Sequence, residues 1–262
     1  MITARFSPLG RTLLLETDSE AILAIAEDTF GRFGPAEEGA APDVTLRFPA
    51  CSLLDNSATF RSEVLLFGFL SQLREHGLMA AHGAAVVRNG RAILLRGPSG
   101  SGKTTLAYAA ARSRFQALAE DVVWIDLEAG LWRGMPWFFH LLPDAPRLFP
   151  ELAGISAVVP AVMESAGKIK LEVDLDAVRP GSTVTEAEPG PIVLLERGAE
   201  NALEPVGPAE ALDLWRRCPA GTEESFPGYG RHVEALLKGG AWRLRLGSDL
   251  DDALNLLETL PR

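Results

Sequence analysis

Gly97-Pro98-Ser99-Gly100-Ser101-Gly102-Lys103-Thr104, followed by Thr105, fits the spacing G-x-x-x-x-G-K-[ST] at every fixed position. That spacing serves phosphate binding. Glycines let the backbone curl so that successive N–H groups point inward, and a helix opening at the lysine adds its positive end. Lys103 is one of four lysines, with Lys168, Lys170 and Lys238. In this position it would reach the β- and γ-phosphates, while the Thr104 hydroxyl would ligate Mg²⁺ between them. Nucleotide binding is the expectation, and a Gly/Ser turn with an incidental lysine is the plain alternative. The motif does not name the reaction, because ATPases, GTPases and several kinds of kinase share it.

Such a loop needs a strand before it and a helix after it. Ala84 to Gly97 is two apolar runs joined by Arg-Asn-Gly-Arg. Asn-Gly between apolar runs is a strong hairpin signal, so the chain should turn at Asn89-Gly90 and run from Arg91–Leu95 into the glycine loop. Thr104–Ala111 has the composition of a helix start. A strand at Phe115–Leu118 then precedes the acid pair Glu120-Asp121, and VVWIDL and LWRGM form a second hairpin about Glu128-Ala129-Gly130. Towards the N-terminus the pattern predicts a strand at Arg11–Glu16, a helix capped by Asp18 or Ser19, a strand at Val44–Phe48 and an amphipathic helix over 62–78 stopped by Gly77. Beyond the second hairpin come a Pro/Phe-rich stretch at Met135–Pro150, a strand or strand pair at Lys168–Val173, and a strand at Ile192–Glu196. Helices are expected at Ala209–Arg217 and Arg231–Leu237, a strand at Ala241–Leu246 and a helix at Asp249–Leu260. The expected class is α/β: a mixed sheet flanked by helices with a β-hairpin before the P-loop (79–262), and a small N-terminal α+β region (1–78).

Composition narrows the rest. With 262 residues, 47% hydrophobic and 23% charged, the chain has the profile of a folded globular protein and not of a disordered one. A net charge of −10 argues against a protein that neutralises nucleic-acid phosphates over a wide face. No apolar run reaches the ~18 residues of a membrane span, and Met1–Leu15 lacks a secretory layout, so no membrane partner is expected and the cytoplasm is the expected compartment. Cys51 and Cys218 stand far apart with no CxxC spacing and are read as core thiols. Oligomeric state is not readable.

The order His82-Gly83, hairpin, GPSGSGKTTLA and Ala119-Glu120-Asp121-Val122-Val123-Trp124-Ile125 resembles the catalytic domain of the HPr serine kinase/phosphorylase family, related to the ATP-dependent phosphoenolpyruvate carboxykinases. The resemblance covers about 45 residues. Trp242-Arg243-Leu244-Arg245-Leu246, with the acidic helix after it, is also similar to members found beside peptide-modification genes, notably lasso-peptide kinases. The resemblance implies that Gly97 to Thr105 bind ATP–Mg²⁺ and that the acid pair supplies the base for the acceptor hydroxyl and a contact to the metal. Glu-Asp stands here where the family has Asp-Asp, so two assignments are open: Asp121 as base with Glu120 on the metal side, or the reverse. His82 is implied to pack near the phosphates and the acids. Arg133, Arg147, Lys168 and Lys170 offer candidate charges for the transferred phosphoryl group, with surface pairing as the plainer fate of each; His76, His140 and His232 show no ligand spacing.

The family's glycine-rich phosphorolysis signature is not recognisable between Met135 and Val178, which argues against HPr as the acceptor. The leading expectation is an ATP-dependent kinase acting on a serine hydroxyl of a small protein or ribosomally made peptide. A small-molecule kinase and a nucleotide sensor or assembly subunit without phosphotransfer are the alternatives, and the Met135–Pro150 stretch, read as exposed, would serve as a lining for either kind of acceptor site. Homo-oligomers occur in the resembling family, so self-association is compatible with this reading.

Overall fold

Asn89 and Gly90 take positive φ values of 54° and 80° and join β5 (Ala84–Arg88) to β6 (Arg91–Arg96) in an antiparallel hairpin. The computed structural model describes residues 1–52, 64–154, 170–218 and 223–261. They divide into two compact units, one holding Met1–Leu78 together with Lys170, the other running from Met79 and again from Leu171 onward.

In the first unit, β1 (Ile2–Phe6) pairs antiparallel with β2 (Leu13–Thr17), and β2 pairs parallel with β3 (Val44–Phe48). α1 (Glu20–Phe30) connects β2 to β3, with the Ser19 hydroxyl accepting from the Ile22 N–H as its cap. Its core includes Phe30 between Phe6 and Phe69, at ring-centroid distances of 5.9 and 5.4 Å. The continuous α-helix expected over 62–78 is not formed: a π-helical turn at 64–66 leads into an α-helix at Phe67–Leu70, a 3-10 turn follows at Leu73–His76, and Leu78 already opens a strand. Leu65, Phe69 and Leu73 are buried at helical spacing, which is the signal the sequence carried. The ladder breaks because Ser71 Oγ and Gln72 Nε2 donate to the Gly68 carbonyl, at 3.1 and 3.2 Å, while the Gln72 N–H bonds Phe69 instead. Residues 62 and 63 lie outside the described residues. Cys51 is exposed, against its reading as a core thiol, whereas Cys218 is buried.

The second unit is built on a six-stranded mixed sheet in the order β14-β15-β13-β6-β5-β7. Besides the hairpin it comprises β7 (Gln116–Ala119), β13 (Ile192–Arg197), β14 (Ala202–Val206) and β15 (Ala241–Leu246). β13 runs parallel to both β6 and β15, so the end of β13 lies beside the exit of β6. Side chains alternate across the hairpin. Ala84, Val86, Ile93 and Leu95 join a core with α2 (Lys103–Ala111) and α5 (Leu250–Glu258), and Ala85, Val87, Ala92 and Leu94 join a second core on the other face. That second face is covered by α3 (Pro208–Arg216), α4 (Tyr229–Leu236) and the sheet β12-β9-β8-β4. Its strands are β4 (Leu78–His82), β8 (Val122–Asp126), β9 (Leu131–Arg133) and β12 (Glu186–Ala187).

The Pro/Phe-rich stretch departs from its reading as an exposed lining. It contributes β10 (Phe138–Leu141), paired antiparallel with β11 (Leu171–Asp174), and it buries Trp137, Phe139, Leu141 and Phe149. Phe139 and Phe149 stand edge-on to Tyr108 of α2, at 5.7 and 4.8 Å, so this stretch braces the helix that follows the glycine loop. Leu142 and Leu148 are its exposed apolar members. Among the described residues no helix is long and apolar enough to cross a membrane.

Candidate active site

β6 delivers the chain to residues 97–102, and α2 starts at Lys103 with Gly102 as its cap. Gly102 needs its missing Cβ because φ is 100° there. Gly97 needs it for a different reason: a Cβ would stand 2.6 Å from the Leu195 carbonyl of β13. Pro98, Ser99 and Gly100 are exposed, and Gly97, Ser101 and Lys103 are buried. The Lys103 ammonium donates to the carbonyls of Gly97 and Pro98 at 2.7 and 3.2 Å, bridging the loop's own entrance. Burial pushes this ammonium below its ordinary pKa, against the pull of Cys218, Asp121 and Glu120. Arg197, at the end of β13, donates from Nε to the Gly100 carbonyl at 3.0 Å.

Thr104 and Thr105 lie on the first turn of α2. The Thr104 hydroxyl donates to Glu120 Oε1 at 2.8 Å, so the first acid after β7 meets the threonine of the loop. Glu120 is 7% exposed, and its other oxygen lies 3.2 Å from His140 Nδ1. The His140 Nε2 lies 3.4 Å from Glu172, its direct cross-strand partner on β11. Burial disfavours the charged ring, but the hydrogen bonds to Glu120 and Glu172 outweigh it and push the His140 pKa up to about 9. Asp121, the next residue, is exposed, with its carboxylate 3.4 Å from His82 Nδ1. The Asp121 carbonyl accepts from the Gly83 N–H at 2.8 Å, which holds the acid pair against the end of β4.

Beneath the loop lies a buried network that sequence reasoning missed. Arg96, the last residue of β6, forms a two-point pair with Glu223 at 2.9 and 3.0 Å, both side chains being almost fully buried. Arg96 also donates to the carbonyls of His82 and Cys218, at 2.8 and 2.7 Å, and stacks 4.0 Å over the Trp215 ring. The Tyr229 hydroxyl donates to Glu223 at 2.7 Å and accepts from Trp215 Nε1 at 2.9 Å, and the His82 N–H also donates to Glu223. A cavity of about 380 Å³ opens between this network and the loop, walled by Leu194, Leu195, Leu214 and Cys218. Arg96 and Ser101 line it, and Arg96 Nε and Ser101 Oγ are buried without a hydrogen-bond partner among the described residues.

The structure therefore draws residues 97–105, Glu120, Asp121 and His82 into one neighbourhood and adds His140, Glu172, Arg96, Glu223 and Arg197 to it. Arg133 is not part of it: its guanidinium pairs with Asp126 at 3.0 Å and with Glu186. Arg147 is exposed, Lys170 is half-buried, and Lys168 lies outside the described residues. His76 belongs to the first unit, and His232 stands edge-on to Phe226 at 5.7 Å. The signal that could have found His140 is the alternation Phe138-Phe139-His140-Leu141, whose buried members are Phe139 and Leu141.

Among the described residues no group of three or more His, Cys, Asp or Glu side chains is arranged to hold a metal ion. Magnesium bound with a nucleotide does not need such a cage, since phosphates and water supply most of its ligands. The Thr104–Glu120 pair fits that mode, offering one hydroxyl and one buried carboxylate at the loop.

No protein-family model matches the sequence, and no curated protein does. One solved structure, the HPr(Ser) kinase/phosphatase from Coxiella burnetii, aligns over 69% of this chain and 92% of its own at 13% sequence identity and a TM-score of 0.37. A likeness of that degree decides neither the fold family nor the activity.

Proposed function

We propose that the chain is an ATP-dependent phosphotransferase of the HPr-kinase type, moving the γ-phosphoryl group to a serine hydroxyl on a small protein or ribosomally made peptide. The observation that carries the reading is the division between two neighbouring acids. Glu120 is buried and bonded to the Thr104 hydroxyl, whereas Asp121 is exposed beside His82. This division favours Glu120 on the metal side and Asp121 as the base. Magnesium, when bound with ATP, would neutralise charge on the β- and γ-phosphate oxygens. Backbone N–H groups of the loop at Ser99, Gly100 and Gly102 to Thr104, together with the Lys103 ammonium, would hold the phosphates, with Arg197 bracing the loop from outside. Asp121 takes the proton of the acceptor hydroxyl as its oxygen bonds the γ-phosphorus, while the bond from that phosphorus to the bridging oxygen breaks and ADP leaves.

The test is mass spectrometry of the purified protein with ATP–Mg²⁺ and the peptides or small proteins encoded beside its gene. One added phosphate per acceptor is expected, and Asp121→Asn should slow its appearance at least about 100-fold. Equal transfer by the parent and Asp121→Asn would overturn the assignment.

The cavity favours a second reading, a small-molecule kinase. Gly97 and Pro98, whose carbonyls hold the Lys103 ammonium, are among the residues that line it. Its volume is within the range of small-ligand sites. Radiolabel from γ-labelled ATP appearing in a small-molecule fraction, with the peptides unmodified, would select it.

A further inference from the structure

We propose that His140 is a positioning residue that fixes the Glu120 carboxylate against the Thr104 hydroxyl and thereby sets how strongly Mg²⁺ tightens nucleotide binding. The proposal rests on the phosphotransfer reading above, in which Glu120 stands on the metal side. Four facts of geometry support it. Glu120 divides its two oxygens, one accepting from Thr104 Oγ1 at 2.8 Å and the other facing His140 Nδ1 at 3.2 Å. The ring is held from its other side by Glu172 at 3.4 Å, so its plane is fixed by the cross-strand register of β10 and β11. Both ring nitrogens face carboxylates, which leaves His140 itself poorly suited to ligate a metal. The β10 strand is anchored by Phe139 and Leu141 in the core, so the histidine is presented by a rigid element.

A carboxylate that approaches a metal is oriented by what its second oxygen bonds, and loss of such a partner typically costs about 10- to 100-fold in metal affinity. The Thr104 contact alone leaves Glu120 free to rotate about it. With His140 in place, the carboxylate plane is set by two bonds to two different elements, α2 and β10.

The experiment measures the affinity of the whole chain for the fluorescent nucleotide mant-ATP, once with Mg²⁺ and once with EDTA, in the parent, His140→Ala and His140→Asn. Asparagine is the informative variant, because its Nδ2 stands close to where the histidine Nδ1 stands and can donate the same bond to Glu120. In His140→Ala the tightening caused by Mg²⁺ should fall about tenfold while metal-free affinity stays within about twofold of the parent; His140→Asn should keep the tightening within about threefold. If His140→Ala retains the parent's Mg²⁺ effect, or His140→Asn loses it as fully as alanine does, the proposal is wrong. It is equally wrong if the metal-free affinity falls as far as the Mg²⁺-dependent one, since that would mark general damage to the fold. A parent that binds mant-ATP no better with Mg²⁺ than with EDTA would remove the phosphotransfer reading itself, an outcome distinct from a parent that responds and variants that do not differ.

Discussion

Lys103→Ala is expected to lower kcat/KM for ATP by about 10²- to 10³-fold, the range seen when one preorganised charge is removed from a reacting centre. The expectation follows from how the side chain is held. Lys103 is 8% exposed, and its ammonium already spans the Gly97 and Pro98 carbonyls at the mouth of the loop. It therefore pays little conformational entropy on meeting a phosphate, because its rotamer is fixed beforehand. Burial weakens its hold on the proton, yet an incoming phosphate would restore it by adding negative charge at close range. Lys103→Arg should fare little better than alanine, since a planar guanidinium cannot occupy the space of a compact ammonium beneath the loop. ADP release by the parent and both variants gives the rates, and thermal melting separates lost chemistry from lost fold. A loss below about fivefold in Lys103→Ala would show that the loop does not carry the reaction.

What could be read along the chain was what is encoded within a few residues. The hairpin at Asn89-Gly90 depends on two residues that tolerate positive φ, and β3 and β15 coincide with the strands expected at Val44–Phe48 and Ala241–Leu246. α5, Leu250–Glu258, lies within the helix expected at Asp249–Leu260, with the Asp249 side chain as its cap. β10 was hidden because its aromatic run sits among prolines. β14 was hidden by Glu204 and Pro205, the latter tolerated because β14 stands at the sheet edge, paired among the described residues with β15 alone. The glycine loop and the acid pair are contiguous motifs and stand out unaided. The partners that surround them do not: His140 is 20 residues from Glu120, and Glu223 is 127 residues from Arg96. No local pattern marks such pairs, because the sheet order and not the sequence spacing brings them together.

Glu223→Gln should be the most damaging single change outside the loop, costing about 3–5 kcal/mol of stability. Removing the carboxylate charge leaves the Arg96 guanidinium, 1% exposed, without its ionic partner in a place that water reaches poorly. The same exchange loosens the bonds that Glu223 makes with the His82 N–H and the Tyr229 hydroxyl. Because His82 carries the ring beside Asp121, phosphate transfer should decline along with stability. The pair is costly to break and not especially stabilising to have, so the double variant Arg96→Met with Glu223→Leu should recover part of the loss by removing both buried charges. Recovery should be incomplete, since the Cys218 and His82 carbonyls lose their donor. Urea unfolding midpoints of the parent, the single and the double variant decide the matter: a single variant within about 1 kcal/mol of the parent, or a double variant less stable than the single, would show that charge burial does not govern this network.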